Sequence, residues 1–335
     1  MDSSVEKKGL ERKPLYMVTP TIQSGPMTKI AGFKVFLKLE NLQQPGSFKI
    51  RGLSNLCVKA ADEGCLRIIC PSGGSAGMAA AYAARNLGLK CTIVIPETTP
   101  SSVGDQMRNE GTDVIVQGSV WDESNEYAKQ LAKSHDGYTY VHPFDDPDIW
   151  EGHASMILEA AEQLPCRPDV VVASVGGGGL MNGILHGMWK VGWNDVPFVA
   201  METEGANCFN ASLNAGKKSL FLLLPGMKLV RNVAKCLGAL TCSSTSLEYT
   251  SKHKIISQLV TDKQAVHACL EFADDHRMLV QPACGASLST VYSGVINQLQ
   301  AEEKLPKVSS ALIIVCGGSI ASLGLLNKLK EQFSL

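Results

Sequence analysis

From residue 35 onward the chain alternates short β-branched runs with stretches of helical period, and that rhythm limits the fold more than any other feature. VFLKLE (35–40) reads as a strand, and SFKIRGLSNLCVKAADEG as a helix ending at Gly64. LRIIC (66–70) is a second strand; AGMAAAYAARNLG is a helix closed by Gly88 in the left-handed position that ends many helices. CTIVI, DVIVQ and TYV follow as strands, with helical stretches at 101–110 and 121–135 between them. DVVVASV, GGGGLMNGILHGMWKVG and PFVAMET repeat the unit, and SSALIIVC leads into GGS and a last helix. Strands alternating with helices build βαβ units and parallel sheet, so the fold class is α/β. DVVVASV and ALIIVC are apolar almost throughout, which predicts strands covered on both faces.

At 335 residues the chain is longer than one hydrophobic core usually serves, so two lobes are expected, with a boundary near VHPFDDPDIW (141–150). Residues 217–250 show no clean period. A net charge of −1 without a basic run argues against nucleic-acid or acidic-membrane partners. The charged MDSSVEKKGLERK start has no apolar signal region, and SLFLLL before Pro225 is too short to span a bilayer. Eleven cysteines without a C-x-x-C remove the common zinc and dithiol patterns and fit reduced, buried thiols in the cytoplasm.

Three loops that follow strands, or a Pro-Gly turn, are the places for chemistry. SVGGGGLMNG (174–183) sets four glycines before a helix, where bare backbone N–H groups and the positive helix end cradle an anion, phosphate above all. The competing reading is a tight turn without a ligand. A G-x-G-x-x-G spacing fails, since the sixth residue is Met181 from Gly176 and Asn182 from Gly177, and no G-K-[ST] follows any loop. A small phosphate ester therefore fits better than a dinucleotide, although Glu202 at the end of the next strand keeps that alternative open. CPSGGSAG (70–77) offers Ser72, Gly73, Gly74 and Ser75 at a helix start, suited to a carboxylate or simply to capping. In QPGSFKIRG (44–52), Lys49 sits between Phe48 and Ile50. A lone lysine is usually solvated, but apolar flanks would lower its pKa and make it a Schiff-base nucleophile; the residues alone leave both readings open.

S-F-K-I-R-G, S-G-G-x-A-G-x-A-A-A-Y-A-A-R, F-D-D-P-x-I-W-E-G-H-A-S, S-V-G-G-G-G-L, A-M-E-T-x-G-A, P-A-C-G-A and I-V-C-G-G-S occur in this order from about residue 14 to the end. Together they resemble the animal serine dehydratase family, also described as L-threonine deaminases. The resemblance implies a two-domain pyridoxal-phosphate enzyme of the tryptophan-synthase-β fold type, usually a homodimer, working in amino-acid catabolism and gluconeogenesis. It divides the chain into an N-terminal extension (1–13), a large cofactor-binding domain (14–42 with 144–335) and a small domain (43–143). Lys49 would carry the cofactor, Phe48 would pack on its ring, and Gly176, Gly177, Gly178, Gly179 and Leu180 would hold its phosphate. Ser75 would stand near the ring hydroxyl and Cys316 near the pyridine nitrogen. Ser72, Gly73 and Ala76 would bind the substrate carboxylate. A monovalent cation such as K+ would sit near Glu202, Ala206, Cys208, Leu237 and Ala239. The implied reaction is β-elimination of L-serine to pyruvate and ammonia, and of L-threonine to 2-oxobutyrate.

Several residues depart from the family pattern. Ser75 stands where relatives have Asn, Gln281 where they have Glu, and Ile320-Ala321 where Asn is usual. These changes keep two alternatives open: a differently specific relative, such as a racemase or β-replacement enzyme, and a cofactor-binding protein with a regulatory role. His153 reads as a structural hydrogen-bonding group and His142 as surface.

Overall fold

The computed structural model describes residues 13–216 and 232–335. The expected N-terminal extension up to residue 12, and the stretch 217–231 with its SLFLLL run, lie outside them. Ten strands are present among the described residues: β1 (Thr21–Gln23), β2 (Lys34–Lys38), β3 (Arg67–Cys70), β4 (Lys90–Ile95), β5 (Asp113–Val116), β6 (Tyr138–Tyr140), β7 (Val170–Ser174), β8 (Phe198–Thr203), β9 (Ile255–Val260) and β10 (Ser310–Ile314). They form a six-stranded sheet of order β1-β2-β10-β7-β8-β9 and a four-stranded sheet of order β5-β4-β3-β6. Every pairing is parallel except β1 against β2.

The apolar runs behave as expected: every residue of β7, β8 and β10 is buried, with helices over the sheet. Two strands were not read from the sequence. β1 has three residues and is antiparallel, and β9 is a half-buried edge strand beyond the aperiodic region. Neither gives a run apolar enough to stand out against its flanks.

In the six-stranded sheet, β10 lies between β2 and β7, with Ile313 opposite both Leu37 and Val172. The loops leaving the carboxyl ends of β7 and β10 are therefore neighbours, which is where open α/β sheets bind ligands. The two sheets meet through the helices Lys49–Asp62 and Pro147–Gln163. Their backbones approach so closely that a Cβ on Gly152 would stand 2.4 Å from the Arg51 carbonyl oxygen, and one on Gly52 2.6 Å from that of Ile149.

A largely buried ion network fills this crossing, with only Glu159 partly exposed. Arg51 reaches Glu40 at 2.7 and 2.8 Å and Glu159 at 2.7 Å through each of two nitrogens. Lys38 also bonds Glu159 at 2.7 Å, and Thr19 closes on Glu40 at 2.6 Å. Two cations face two carboxylates, so the charges balance and nearly every polar atom is used. Removing one member of such a network leaves a charge buried without compensation. Arg51→Met should therefore lower the unfolding free energy by about 3–5 kcal/mol in a urea titration. Arg167→Met, which breaks the solvent-exposed pair with Asp195, should change it by less than about 1 kcal/mol.

Candidate active site

Lys49 is the first residue of its helix, and the loop before it is stitched to the loop after β10. Ser47 and Gly317 form an antiparallel bridge, the Phe48 N–H donates to the Cys316 carbonyl at 3.1 Å, and the Gly318 N–H donates to that of Gly46 at 2.9 Å. The lysine is thus anchored on both sides of the boundary between the sheets. Its ammonium donates to the Pro143 carbonyl at 2.7 Å and lies 5.2 Å from the Phe48 ring centre and 6.0 Å from that of Phe144. Burial pushes the Lys49 pKa down to about 8, although the nearby thiols of Cys236, Cys70 and Cys316 act in the other direction. The residue as a whole is half-buried, with its amine turned to the protein.

The tetraglycine segment leaves β7 and enters the helix Gly179–Lys190. Gly178 has φ of +97°, a left-handed conformation that only glycine adopts cheaply, and a Cβ there would lie 2.0 Å from Ser246 Oγ. A Cβ on Gly177 would strike the Phe144 ring at 2.3 Å. The chain is bare at these positions because other groups crowd them. The N–H groups of Gly179, Leu180 and Met181 open the helix and have no carbonyl of their own helix to bond.

The remaining predicted residues gather around the same cleft. Cys316 follows β10; its thiol is 3.4 Å from Ser174 Oγ, and contact with Cys284 together with burial raises its pKa well above the usual 9.0, so it stays neutral. Ser72, Gly73, Ser75 and Ala76 lie on the turn from β3 into the helix Ser75–Leu87. The turn is tight: a Cβ on Gly73 would meet Thr99 Oγ1 at 2.4 Å. The Ser75 hydroxyl is shared with Ser319 Oγ at 2.7 Å. Gln281 is buried at the start of the helix Pro282–Tyr292, and its N–H donates to the Gly317 carbonyl at 3.3 Å. Ala321, in the stretch that departs from the family pattern, donates its N–H to the Gly318 carbonyl at 2.8 Å.

The expected cation residues form a patch behind the tetraglycine. Glu202 is fully buried and accepts the N–H groups of Phe209 at 2.9 Å and Asn210 at 2.8 Å; burial lifts its pKa to about 8 against these two donors. Ala206 bonds back to the Thr203 carbonyl, the Cys208 thiol reaches the Gly176 carbonyl at 3.4 Å, and Leu237 lies 3.1 Å from where a Gly176 Cβ would be. The Ala239 N–H donates to the Leu237 carbonyl. No group of three or more His, Cys, Asp or Glu suited to a metal occurs among the described residues.

Two histidine readings are corrected. His142 is half-buried rather than on the surface, and its Nδ1 accepts the N–H groups of Phe144 and Asp145, closing the turn that presents Pro143 to Lys49. His153 is fully buried, and neither ring nitrogen has a hydrogen-bond partner among the described residues. It packs edge-on to Phe48 at 4.8 Å, and burial holds its pKa well below 6.5, so it is a neutral packing group. Sequence reasoning also missed Pro143, Phe144, Cys236 and Ser319 as members of the cleft. The first two could have been found, since they follow the carboxyl end of β6, the last strand of the smaller sheet.

The family model described as "Pyridoxal-phosphate dependent enzyme" matches residues 13–317. The chain belongs to this family. It is 47% identical over 324 residues to the human protein named L-serine dehydratase/L-threonine deaminase, covering 96% of this chain and 97% of that one. It is also 47% identical to the human protein named serine dehydratase-like, over 99% of each. A fungal L-serine ammonia-lyase from Rhizomucor miehei has a similar solved structure, with a TM-score of 0.87, 33% identity, and coverage of 96% of this chain and 100% of that one. The fold is that of the two-domain α/β pyridoxal-phosphate enzymes.

The residues present fit such a cofactor. The amine at Lys49 is partly neutral near physiological pH, and the tetraglycine cradle with its unpaired helix-start N–H groups suits a phosphate. With a pKa of about 8, about one-fifth of Lys49 is neutral at pH 7.4, against about 0.1% for a lysine at 10.5. Imine formation between the cofactor-free protein and added pyridoxal, followed by visible absorbance, should therefore rise with pH through about 8 and level off above it. A rise continuing towards 10.5 would show an ordinary solvated lysine.

Proposed function

We propose that this chain is a lyase that removes ammonia from L-serine, giving pyruvate, and from L-threonine, giving 2-oxobutyrate. The observation that carries the reading is the amine of Lys49, with its pKa near 8, held on the Pro143 carbonyl and carried by a loop that is hydrogen-bonded to Cys316, in a chain so similar to proteins bearing those activities in their names. Pyridoxal phosphate, when bound, supplies an aldehyde that captures amines and a conjugated ring that accepts the electron pair left at the substrate α-carbon.

This chain's residues do the rest. Gly176, Gly177, Gly178, Gly179 and Leu180 hold the phosphate through backbone N–H groups, and Phe48 packs beside the ring. Cys316, a neutral thiol, would stand near the pyridine nitrogen of the bound cofactor and, carrying no charge, would leave it largely unprotonated. Ser72, Gly73 and Ala76 hold the substrate carboxylate at a helix start. Lys49 would take the substrate α-proton on Nζ. Ser75, shorter than the family's Asn and already hydrogen-bonded to Ser319, gives the ring hydroxyl a weaker partner, at a cost of about 0.5–1.5 kcal/mol.

The same reading includes a monovalent cation, potassium for preference, beside Glu202, Ala206, Cys208, Leu237 and Ala239; the buried carboxylate of Glu202 supports it. It also includes a small domain over 43–143 set into a large one of 14–42 and 144–335, supported by the confinement of β3 to β6 to residues 67–140. A cytoplasmic homodimer completes it. Eleven free cysteines support a reducing compartment, and no helix among the described residues is long and apolar enough to cross a membrane.

Purified protein mixed with L-serine or L-threonine in a coupled oxo-acid assay should form product, and Lys49→Ala should abolish both product and the visible cofactor band. Appearance of D-serine without pyruvate would favour the racemase alternative, and a cofactor band with no turnover of any kind would favour the regulatory one.

A further inference from the structure

The carboxyl ends of β3 and β6 lie side by side, and one side chain is fastened to both of the loops that leave them. Trp121 is the first residue of the helix Trp121–Lys133. That helix packs Ala128 and Ala132 against Ile69 of β3, Val94 of β4 and Tyr138 and Tyr140 of β6. It joins β5 to β6 within a parallel sheet, so it starts at the carboxyl ends of the strands, where open α/β sheets bind ligands. The Trp121 indole N–H donates to the Pro71 carbonyl at 2.7 Å. Its ring lies 6.2 Å from that of His142 and 6.4 Å from that of Phe144, distances at which aromatic rings attract.

Those contacts reach the two loops on which the proposed chemistry depends. Pro71 opens the turn that carries Ser72, Gly73 and Ala76. Residues 72–74 are half-buried, and two of them are glycines, which add no side chain to fix the turn. Thr99 crowds Gly73, and the indole fixes the end next to β3. On the other loop, His142 and Phe144 pack edge to face at 4.6 Å on either side of Pro143, whose carbonyl holds the Lys49 ammonium. The Phe144 ring also lies against Gly177. Trp121 is itself half-buried, so filling a core does not account for a residue this large. A leucine would cover the same strand ends, but it has no N–H to offer a carbonyl that has left the sheet.

We infer that Trp121 is a positioning residue for the proposed reaction, tying the substrate loop after β3 to the turn that holds the Lys49 amine. Its N–H sets Pro71 and through it Ser72, Gly73 and Ala76, and its ring backs the turn 142–144. This rests on the reading that Ser72, Gly73 and Ala76 hold the substrate carboxylate. Loss of the N–H alone loosens the substrate loop, and loss of the ring loosens both loops. A carboxylate held less well in ground state and transition state alike raises KM and leaves kcat alone. Thinning the wall beside Phe144 admits water near Lys49 and eases the burial that lowers its pKa.

The test uses Trp121→Phe, which keeps a ring without the donor, and Trp121→Leu, which keeps neither. In the full-length protein loaded with pyridoxal phosphate, Trp121→Phe should raise the KM for L-serine about two- to tenfold, the value of one hydrogen bond, and leave kcat unchanged. Deuterium exchange of the 72–77 amides should be faster in Trp121→Phe than in the parent. Imine formation between the cofactor-free protein and pyridoxal should keep its midpoint near pH 8 in Trp121→Phe and move upwards in Trp121→Leu. Unchanged exchange in Trp121→Phe overturns the inference, as does one pH midpoint shared by all three proteins. Faster exchange with an unchanged KM would show a loop set by the indole that holds no substrate, and the carboxylate reading would fall together with the inference. If the parent does not turn over L-serine, the lyase reading fails by itself, and the exchange rates and pH midpoints still decide whether Trp121 positions the two loops.

Discussion

The buried guanidinium of Arg51 is the fixed point on which the site depends. It stands two residues beyond Lys49, on the same first turn, and is held at once by Glu40 before the helix and Glu159 on the helix that crosses it. Burial acts to lower its pKa, but the two carboxylates outweigh that and raise it, so the charge is permanent. An isolated ion pair buried this deeply gains little over apolar packing. What a balanced, fully bonded network provides is a single geometry, because sliding either helix would strand a charge. With Arg51 pinned, the start of its helix cannot wander, and the amine of Lys49 keeps its place over the cleft.

The site around that amine is built almost without formal charge. The lysine itself is only about half protonated near pH 8, Cys316 is a neutral thiol, and His153 below Phe48 is a neutral ring. Two helix starts, at Ser75 and Gly179, turn their backbone dipoles towards it instead of charged side chains. A carboxylate close to Lys49 would stabilise its ammonium and remove the nucleophile; none of the groups that shift its pKa is a carboxylate. The charges are kept one turn away, in the Arg51 network, where they hold structure and do not oppose the chemistry.

Much of this was legible in the sequence because it is local. Strand and helix periods, the glycines before helices, and Lys49 between apolar neighbours all involve residues a few positions apart, and their physical meaning does not depend on the rest of the fold. The motifs fall at the ends of β3, β7 and β10, and hydrogen bonds from Ser75 to Ser319 and from Ser174 to Cys316 join those ends. What stayed hidden is pairing at long range. Nothing near Arg51 announces Glu159, 108 positions away, and nothing near Ser75 announces Ser319, 244 positions away. β9 was missed for a related reason: an edge strand with Ser257 and Gln258 in its middle becomes a strand by pairing with β8, not by its own pattern. His153 misled in the opposite way, since a histidine within EGHAS suggests hydrogen bonding, and only packing shows a ring used for its shape.

The glycines of the cleft show how function and packing come to share residues. Gly177 is bare because the Phe144 ring lies against it, and Gly178 because Ser246 does. Phe144 in turn follows Pro143, whose carbonyl holds the lysine ammonium, and its own carbonyl accepts the Trp150 indole N–H at the start of the crossing helix. The tetraglycine loop, the amine and the helix that carries Glu159 are thus linked through one short segment, 142–150. A side chain added at Gly177 would push on that segment before it touched any ligand. Such a glycine is held by packing alone, since the Phe144 ring occupies the place a side chain would take, and that constraint stands whatever the loop binds.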